Sequence, residues 1–123
     1  MMELVIVESP FVGNFEKNIY YARLCILDCL QRGEAPFASH LLYPQCLNDE
    51  RPADRTLGMN AGAAWALAAT KRIFYIDLGM SPGMKIAKKA AKKLNQIIEI
   101  RRLPVLSMAK LDQIGWNATK GFK

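Results

Sequence analysis

Short apolar runs alternate with longer helical segments along most of this 123-residue chain, and this alternation limits the folds open to it. The run ELVIVES (3–9) is apolar almost without a break, as expected for a strand that is buried on both faces in a parallel sheet. Further strands are predicted at APFASHLLY (35–43), RIFYID (72–77) and QIIEIRRL (96–103). Because consecutive parallel strands need crossover helices, the pattern predicts a sheet with helices on both faces.

Three helices are predicted between these strands. Asn14 caps the first, which ends near Gly33. Thr56 is the expected N-cap of the second, an uncharged segment over 57–70 that must be covered on most sides, by its own chain or by another copy. Ser81 is the expected N-cap of the third. The predicted inner face of the first helix is Phe15, Ile19, Ala22, Ile26, Cys29 and Leu30, with Glu16, Lys17, Arg23 and Asp28 outside it.

These elements predict one α/β domain over residues 1–103. Its architecture is a Rossmann-like three-layer sandwich, with a mainly parallel sheet of about four or five strands. Residues 104–123 are predicted to form a C-terminal tail with a short helix at 108–114.

Positive charge is concentrated in the last third of the chain. The formal net charge is +6, and residues 80–123 hold ten basic and two acidic side chains. Such a surface permits phosphate contacts with nucleic acid or contacts with a protein partner, although a simply solvated face is also expected at this spacing. The lysines concerned share one face of the third helix: Lys85, Lys88, Lys89, Lys92 and Lys93.

Three cysteines, Cys25, Cys29 and Cys46, do not make a disulfide framework. A zinc site would need further ligands, and the single histidine, His40, is not an obvious one. We therefore expect buried thiols, no metal and no cofactor.

Polar side chains follow three of the predicted strands. Glu8 and Ser9 follow the first, His40 follows the second, and the stretch 77–83 follows the third. In open parallel sheets, ligands bind beyond the carboxyl ends of the strands, so these residues mark a candidate site. The polar loop 44–55, broken by prolines, is a candidate lid or binding loop for it.

The segment from Ser81 to Met84 opens a helix, where free N–H groups and the helix dipole favour a phosphate or carboxylate. Gly83 allows a ligand to approach the backbone closely. Ordinary capping and turn formation would need the same residues. The stretch is neither a Walker loop nor a dinucleotide fingerprint, because the required lysine and glycine spacings are absent.

Glu8 and Asp77 end neighbouring strands and are expected to face one cleft. Two carboxylates there are suited to general acid and base roles, to hydrogen bonds with ribose hydroxyls, or to capping of loop N–H groups. His40 is suited to carrying a proton or to forming a hydrogen-bonding wall.

Several separated motifs give the chain a family likeness over about residues 4–102. ESPFVGN, NIYYARLCILDCLQRGEAPFASHLLY, an arginine with LGMNAGAAWAL, and FYIDLGMSPGMKIA resemble, in this order, a family of small phage and bacterial proteins. That family looks like a compact relative of the nucleoside 2-deoxyribosyltransferases.

The resemblance implies a pocket for a nucleoside, a nucleotide or a related ribosyl phosphate. Ser9-Pro10 matches the element that contacts the nucleoside in the transferases, and Ser81-Pro82-Gly83 is similar to the stretch before their glutamate nucleophile. The position of that nucleophile falls at or near Ala87, and alanine cannot attack an anomeric carbon. Turnover would need another carboxylate, with Glu8 and Asp77 as the candidates.

On this basis the chain is expected to bind its ligand, and two alternatives remain. One is a deoxyribosyltransferase or N-glycosidase that uses Glu8 or Asp77, and the other is a nucleic-acid or protein-binding module that uses the lysine face. In the expected binding mode, Ser81 and Gly83 contact phosphate, Asp77 and Glu8 contact sugar, Ser9 and Pro10 contact the nucleoside, and the walls are Phe11, Tyr21, His40 and Met84.

Small residues in the uncharged helix permit close packing of two helices, and we expect a homo-oligomer, a dimer or larger, through residues 57–69. The small residues are Gly58, Ala61, Gly62, Ala66 and Ala69. The longest apolar stretch is too short to span a bilayer and the amino-terminal segment lacks the features of a secretory signal, so we expect no membrane contact. The predicted setting is the cytoplasm, the host's if a phage encodes the chain, where an accessory protein would sequester or process a nucleotide.

Overall fold

The computed structural model describes residues 1–105, and these form the predicted Rossmann-like α/β domain. The four strands are all parallel and lie in the order β2-β1-β3-β4. The predicted tail helix at 108–114 lies outside the described residues. The elements are β1 Glu3–Glu8, α1 Phe15–Gln31, β2 Glu34–Phe37, α2 Ser39–Leu42, a 3-10 turn Tyr43–Gln45, α3 Pro52–Ala68, β3 Lys71–Tyr75, α4 Pro82–Lys93 and β4 Ile97–Arg101.

Alternation along the strands divides the sheet into two faces. Val7 and Ile73 are paired across β1 and β3, and both belong to the buried core that packs under α1. The intervening residues point the other way, since Nη1 of Arg72 in β3 donates to the Ala87 carbonyl of α4 at 3.0 Å. Side chains at Glu8 and Arg72 therefore lie on the face covered by α3 and α4.

The first helix begins and ends as predicted, but its inner face is rotated from the predicted one. Asn14 caps it by accepting the Lys17 N–H at 3.2 Å, and Gly33 follows it at φ +84°, which suits glycine. Asp28, expected outside, is buried and accepts the Tyr75 hydroxyl at 2.7 Å. Phe15, expected inside, is half exposed. The buried residues of α1 are Asn18, Tyr20, Tyr21, Ala22, Leu24, Cys25, Asp28 and Cys29.

The prediction of a strand through residues 35–43 is wrong beyond Phe37. The edge strand β2 stops there, and the chain turns into α2 and the 3-10 turn, whose second residue is Pro44. This turn brings Leu41 back against the core. Burial of Leu41 and proline geometry together favour helical turns over a longer strand.

The predicted start of the second long helix at Thr56 is also wrong, because α3 begins at Pro52. Proline is favoured in the first turn of a helix, and Asp54 there complements the positive end of the dipole. The predicted loop 44–55 therefore shrinks to residues 46–51 between the 3-10 turn and the helix.

Most of α3 is not covered by its own chain, contrary to the first of the two expectations for it. Ala66 is its one buried residue, whereas Leu57 and Leu67 are 59% and 68% exposed. The small residues face inward: a Cβ added at Gly62 would lie 2.9 Å from Ser39 Oγ, and one at Gly58 would lie 3.3 Å from Leu47 Cδ1. The glycines thus let the segment from α2 to Leu47 lie against α3 within one chain.

A network of charged side chains lies beneath the carboxyl half of α1, with Glu34 and Arg101 buried and Lys71 and Glu99 partly exposed. Both terminal nitrogens of Arg101 donate to the two carboxylate oxygens of Glu34 at 2.7 Å. Lys71 lies 3.2 Å from Glu34 and 2.9 Å from Glu99, and Glu99 also pairs with Arg101. The hydrogen bonds from Arg101 lower the pKa of Glu34 to about 2 although burial opposes this.

Candidate functional site

A cavity of about 530 Å³ lies at the carboxyl ends of the strands, as the loop positions predicted. Its floor is the end of β1 and its sides are α2 with the 3-10 turn, the first half of α3 and the start of α4. The volume is in the range of small-molecule sites. Seven of the ten predicted ligand-binding residues line it: Glu8, Ser9, Phe11, His40, Ser81, Gly83 and Met84.

Three of the predicted residues lie elsewhere. Pro10 lines a second, more open cavity of about 400 Å³ beside α1. Tyr21 is fully buried, and its hydroxyl donates to Asp77 Oδ2 at 2.6 Å. The same carboxylate oxygen accepts the Leu103 N–H at 3.0 Å. Asp77 therefore ties α1 to the segment after β4, and it does not face a common cleft with Glu8.

The cavity floor carries a carboxyl group with an unusual pKa. Burial raises the pKa of Glu8 to about 7, although the nearby Arg72 lowers it. Arg72 Nη1 is 3.8 Å from Glu8 Oε2, but the guanidinium is engaged elsewhere. Nη1 donates to the Ala87 carbonyl at 3.0 Å and Nε donates to Gln96 Oε1 at 2.8 Å. Near neutral pH both forms of the Glu8 carboxyl are populated, so it is able to donate or accept a hydrogen bond.

Ser9 and His40 form a hydrogen-bonded pair in the cavity. Ser9 Oγ is 2.8 Å from Nε2 of His40, and the edge of Phe11 packs against the imidazole with ring centroids 6.3 Å apart. Burial lowers the pKa of His40 to about 4. The imidazole is consequently neutral near pH 7 and takes the role of a hydrogen-bonding wall.

The start of α4 contributes one free backbone donor to the cavity. Ser81 Oγ accepts the Met84 N–H at 3.2 Å, which confirms the predicted N-cap. Pro82 has no N–H, and the Lys85 N–H bonds to the Ser81 carbonyl at 3.0 Å. Within the described residues, Gly83 is therefore the first-turn residue whose N–H is left for a ligand.

Several lining residues were not singled out from the sequence. Tyr43 and Leu47 come from the segment after β2, and Asp49, Asp54 and Arg55 come from the loop and the first turn of α3. The predicted binding loop 44–55 contains four of these five residues. The sequence therefore indicated the right segment but not which of its side chains face the cavity. The inward direction of Tyr43 depends on α2, which was predicted as strand.

An aromatic cluster joins the cavity to the surface. Trp65 Nε1 donates to the Tyr43 hydroxyl at 2.8 Å, and the indole stacks on Phe37 with centroids 5.0 Å apart. Trp65 is half exposed while Tyr43 lines the cavity. The indole is therefore placed to report on changes in the cavity wall.

Other predicted features lie away from the cavity. Cys25 and Cys29 are buried thiols as predicted, and burial raises their pKa values, whereas Cys46 is exposed. In residues 1–105 no group of three or more histidine, cysteine or acidic side chains is arranged to hold a metal ion. In the same range, no helix is both long and apolar enough to cross a membrane.

The fold and the cavity define a Rossmann-like α/β domain with a small-molecule-sized cavity at the carboxyl edge of a parallel sheet. Residues 3–101 match the family model described as Domain of unknown function (DUF7768), and the chain belongs to that family. The matched range falls within the predicted α/β domain of residues 1–103. Comparison with curated proteins gave no match, and comparison with solved structures gave none.

Proposed function

We propose that this protein binds a nucleoside, a nucleotide or a related ribosyl phosphate in the cavity at the carboxyl edge of its sheet. The observation that carries the proposal is the cavity itself. Apolar and aromatic walls meet the Gly83 N–H at a helix start and the Glu8 carboxyl at the floor. The flat aromatic face of a base, a polar sugar and an anionic group need these three environments together.

Each part of such a ligand has a counterpart in the lining. The base packs against Phe11 and Tyr43, the sugar hydroxyls reach Glu8, and a phosphate is held by Gly83 N–H with the Ser81 hydroxyl nearby. Asp77 and Tyr21, two of the residues expected to contact the ligand, are hydrogen-bonded to each other instead. The sugar is therefore assigned to Glu8 alone of the two carboxylates.

The test is a binding screen of nucleosides, nucleotides, cyclic nucleotides and ADP-ribose, read by thermal shift and by Trp65 fluorescence in a Trp116→Phe background. A ligand at about a hundredfold its dissociation constant adds about 2.7 kcal/mol of stability. Phe11→Ala should weaken binding by about tenfold or more because it removes an aromatic wall. Phe15→Ala is the matched control, since Phe15 contacts Phe11 from outside the cavity lining. Absence of binding to every compound would refute the proposal.

A glycosyl-transferring or hydrolysing activity is the second candidate, and the Glu8 pKa of about 7 favours it. A carboxyl group that titrates near neutral pH is suited to general acid–base work on an N-glycosidic bond. Chromatography of free base after incubation with each bound nucleoside tests this activity. Glu8→Gln should abolish release, whereas Glu16→Gln, an exposed carboxylate at the start of α1, should leave it unchanged. Nucleoside binding without release of free base would contradict the enzymatic candidate and support a protein that only binds its ligand.

The lysine face of α4 supports a third candidate, a nucleic-acid or protein partner. Lys89, Lys92 and Lys93 are exposed, and they lie away from the cavity. Salt-sensitive binding to single- or double-stranded oligonucleotides, lost when these lysines are reversed to glutamate, would support it. Binding that survives the reversal would rule out this face.

We also propose a homo-oligomer through α3, on a different surface from the one predicted. The small residues are used within the chain, so the contact would involve the outer residues of α3, which carry no charge from Leu57 onward. A phage origin and a cytoplasmic location remain predictions.

A further inference from the structure

We propose that the cavity selects ligands with no more than one phosphate group and discriminates against polyphosphates. This inference rests on the proposed nucleoside or nucleotide binding and narrows it. It follows from the charges that line the cavity, which oppose the charge of the chain as a whole.

The lining holds more acidic than basic groups. Glu8, Asp49 and Asp54 face the cavity, and Arg55 is the one basic side chain among the described lining residues. The chain overall has a formal charge of +6. Long-range attraction of anions by the whole molecule is therefore followed by local repulsion at the cavity, where distances are short and screening is weaker.

The groups that stabilise an anion are few. Gly83 N–H is the free donor of the α4 start, and Arg55 has no partner side chain in the described part of the chain. Gly83 and Arg55 line the same cavity, and in the proposed binding mode they share one phosphate. Further phosphates would have to extend along a lining that carries Asp49 and Asp54.

The two aspartates are not equivalent. Asp54 Oδ2 accepts the Asn48 N–H at 2.8 Å, so this carboxylate also orders the loop. Asp49 is exposed, and its side chain makes no hydrogen bond or ion pair within residues 1–105, so its charge can be removed without breaking another contact. Its neutralisation should alter selectivity without altering the fold.

The experiment measures displacement of a bound nucleoside or monophosphate, so that binding to the lysine face is not counted. The series are adenosine, AMP and ATP, with the corresponding guanosine, cytidine and uridine compounds, each in EDTA and in magnesium. We expect the triphosphate to bind about tenfold or more weakly than the monophosphate of the preferred base. The ratio of the triphosphate dissociation constant to the monophosphate dissociation constant should fall as salt is raised, because added ions screen the repulsion.

Two variant pairs locate the effect. Asp49→Asn should reduce the preference for monophosphate over triphosphate by about twofold to threefold, a modest effect typical of an exposed charge, while Glu16→Gln should not. Arg55→Gln should weaken the monophosphate but not the nucleoside, while Arg51→Gln, one turn earlier and outside the lining, should weaken neither.

A triphosphate that displaces the bound compound as well as the monophosphate does, with or without magnesium, overturns the inference but leaves the proposed function standing. Failure of every nucleoside and monophosphate to bind overturns the proposed function itself. A magnesium-dependent rise of triphosphate binding to the monophosphate level also counts against the inference, since carboxylates with substrate phosphates can hold that ion.

Discussion

Glu8 and Asp77 show how one position along a strand decides the role of a carboxylate. Glu8 ends β1 on the face covered by α3 and α4, where it forms the cavity floor. Asp77 follows β3 on the face covered by α1, where Tyr21 and Leu103 hold it. Burial raises the pKa of Tyr21, so its hydroxyl stays protonated and remains a donor to Asp77. Glu8 therefore faces the cavity, whereas Asp77 makes contacts within the fold.

The raised pKa of Glu8 predicts a pH-dependent stability. The folded protein holds this proton up to about pH 7, whereas the unfolded chain releases it near 4.5, so the contribution of Glu8 to stability falls as pH rises between these values. The free energy of unfolding of Glu8→Gln, relative to that of the unchanged protein, should therefore rise by roughly 2–3 kcal/mol between about pH 4.5 and 8.

Chemical denaturation across that pH range measures the difference between the two proteins. Titration of His40, whose folded pKa is about 4, acts in the opposite direction but occurs in both proteins and cancels. A difference that stays constant with pH would show that Glu8 is not buried as a titrating group.

We expect the substitution of glutamate by glutamine to destabilise the protein more at Glu34 than at Glu99. Both pair with Lys71 and Arg101, but the Glu34 side chain is 9% exposed and the Glu99 side chain is 35% exposed. Glu34→Gln should cost about 3 kcal/mol because the two buried terminal nitrogens of Arg101 lose their carboxylate partner, and Glu99→Gln should cost less than about 1 kcal/mol.

Denaturant unfolding of the two variants at neutral pH tests this difference. The stability due to Glu34 is complete above about pH 4.5 and is lost as pH falls toward its folded pKa of about 2. Equal losses of unfolding free energy in Glu34→Gln and Glu99→Gln would mean that the greater burial of Glu34 does not strengthen its ion pairs.

At the scale of elements, α3 forms two surfaces with different uses. Its inner side carries Gly58 and Gly62, which accept the segment from α2 to Leu47. Its outer side is exposed and uncharged from Leu57 onward. Because α2 carries His40, the inner packing also sets the position of a cavity wall.

Alanine at the two glycines should have opposite effects. At Gly62 the new methyl group would meet Ser39 Oγ at 2.9 Å and Ser39 Cβ at 3.1 Å, so α2 must move, at a cost of about 1–3 kcal/mol. At Gly58 it meets only the flexible end of Leu47 at 3.3 Å and the Tyr43 Cβ at 3.8 Å, and the better helix propensity of alanine should add up to about 1 kcal/mol.

Unfolding free energies and nucleoside affinities of the two variants provide the comparison. Gly62→Ala should lower both, since the movement of α2 displaces His40. Unchanged affinity in a destabilised Gly62→Ala protein would show that α2 does not set the cavity wall.

At the scale of the whole molecule, the exposed side of α3 is the surface that a second copy would cover. Taken at about 100° per residue, the residues from Leu57 to Ala68 that face away from the glycines lie within one half of the helix. They are Leu57, Asn60, Ala63, Ala64, Leu67 and Ala68, all of them exposed.

Lysines at Leu57 and Leu67 should therefore convert an oligomer into a 13.8 kDa monomer in sedimentation velocity. Charge buried in an apolar contact without a partner opposes association. The matched control is Leu27→Lys with Leu30→Lys, which changes two similarly exposed leucines on α1. A monomer before any substitution, at all concentrations, would remove the oligomer proposal.

Local sequence patterns were sufficient to predict the alternation of strands and helices, the parallel sheet, the Ser81 cap and the edge at which polar loops gather. These features depend on local patterns, because strand burial, helix periodicity and capping act over a few neighbouring residues. Seven of the predicted ligand-binding residues reached the cavity for that reason.

The remaining features depend on tertiary contacts. Pairing of Val7 with Ile73 places Asp77 on the opposite face from Glu8, and residues 39–42 of the predicted strand form α2, which packs with Ser39 against Gly62. The packing of α1 on the sheet also rotates this helix from its predicted orientation, so that Asp28 is buried against Tyr75. Strand register and helix rotation are set by contacts between residues far apart in the chain, and no local pattern contains them.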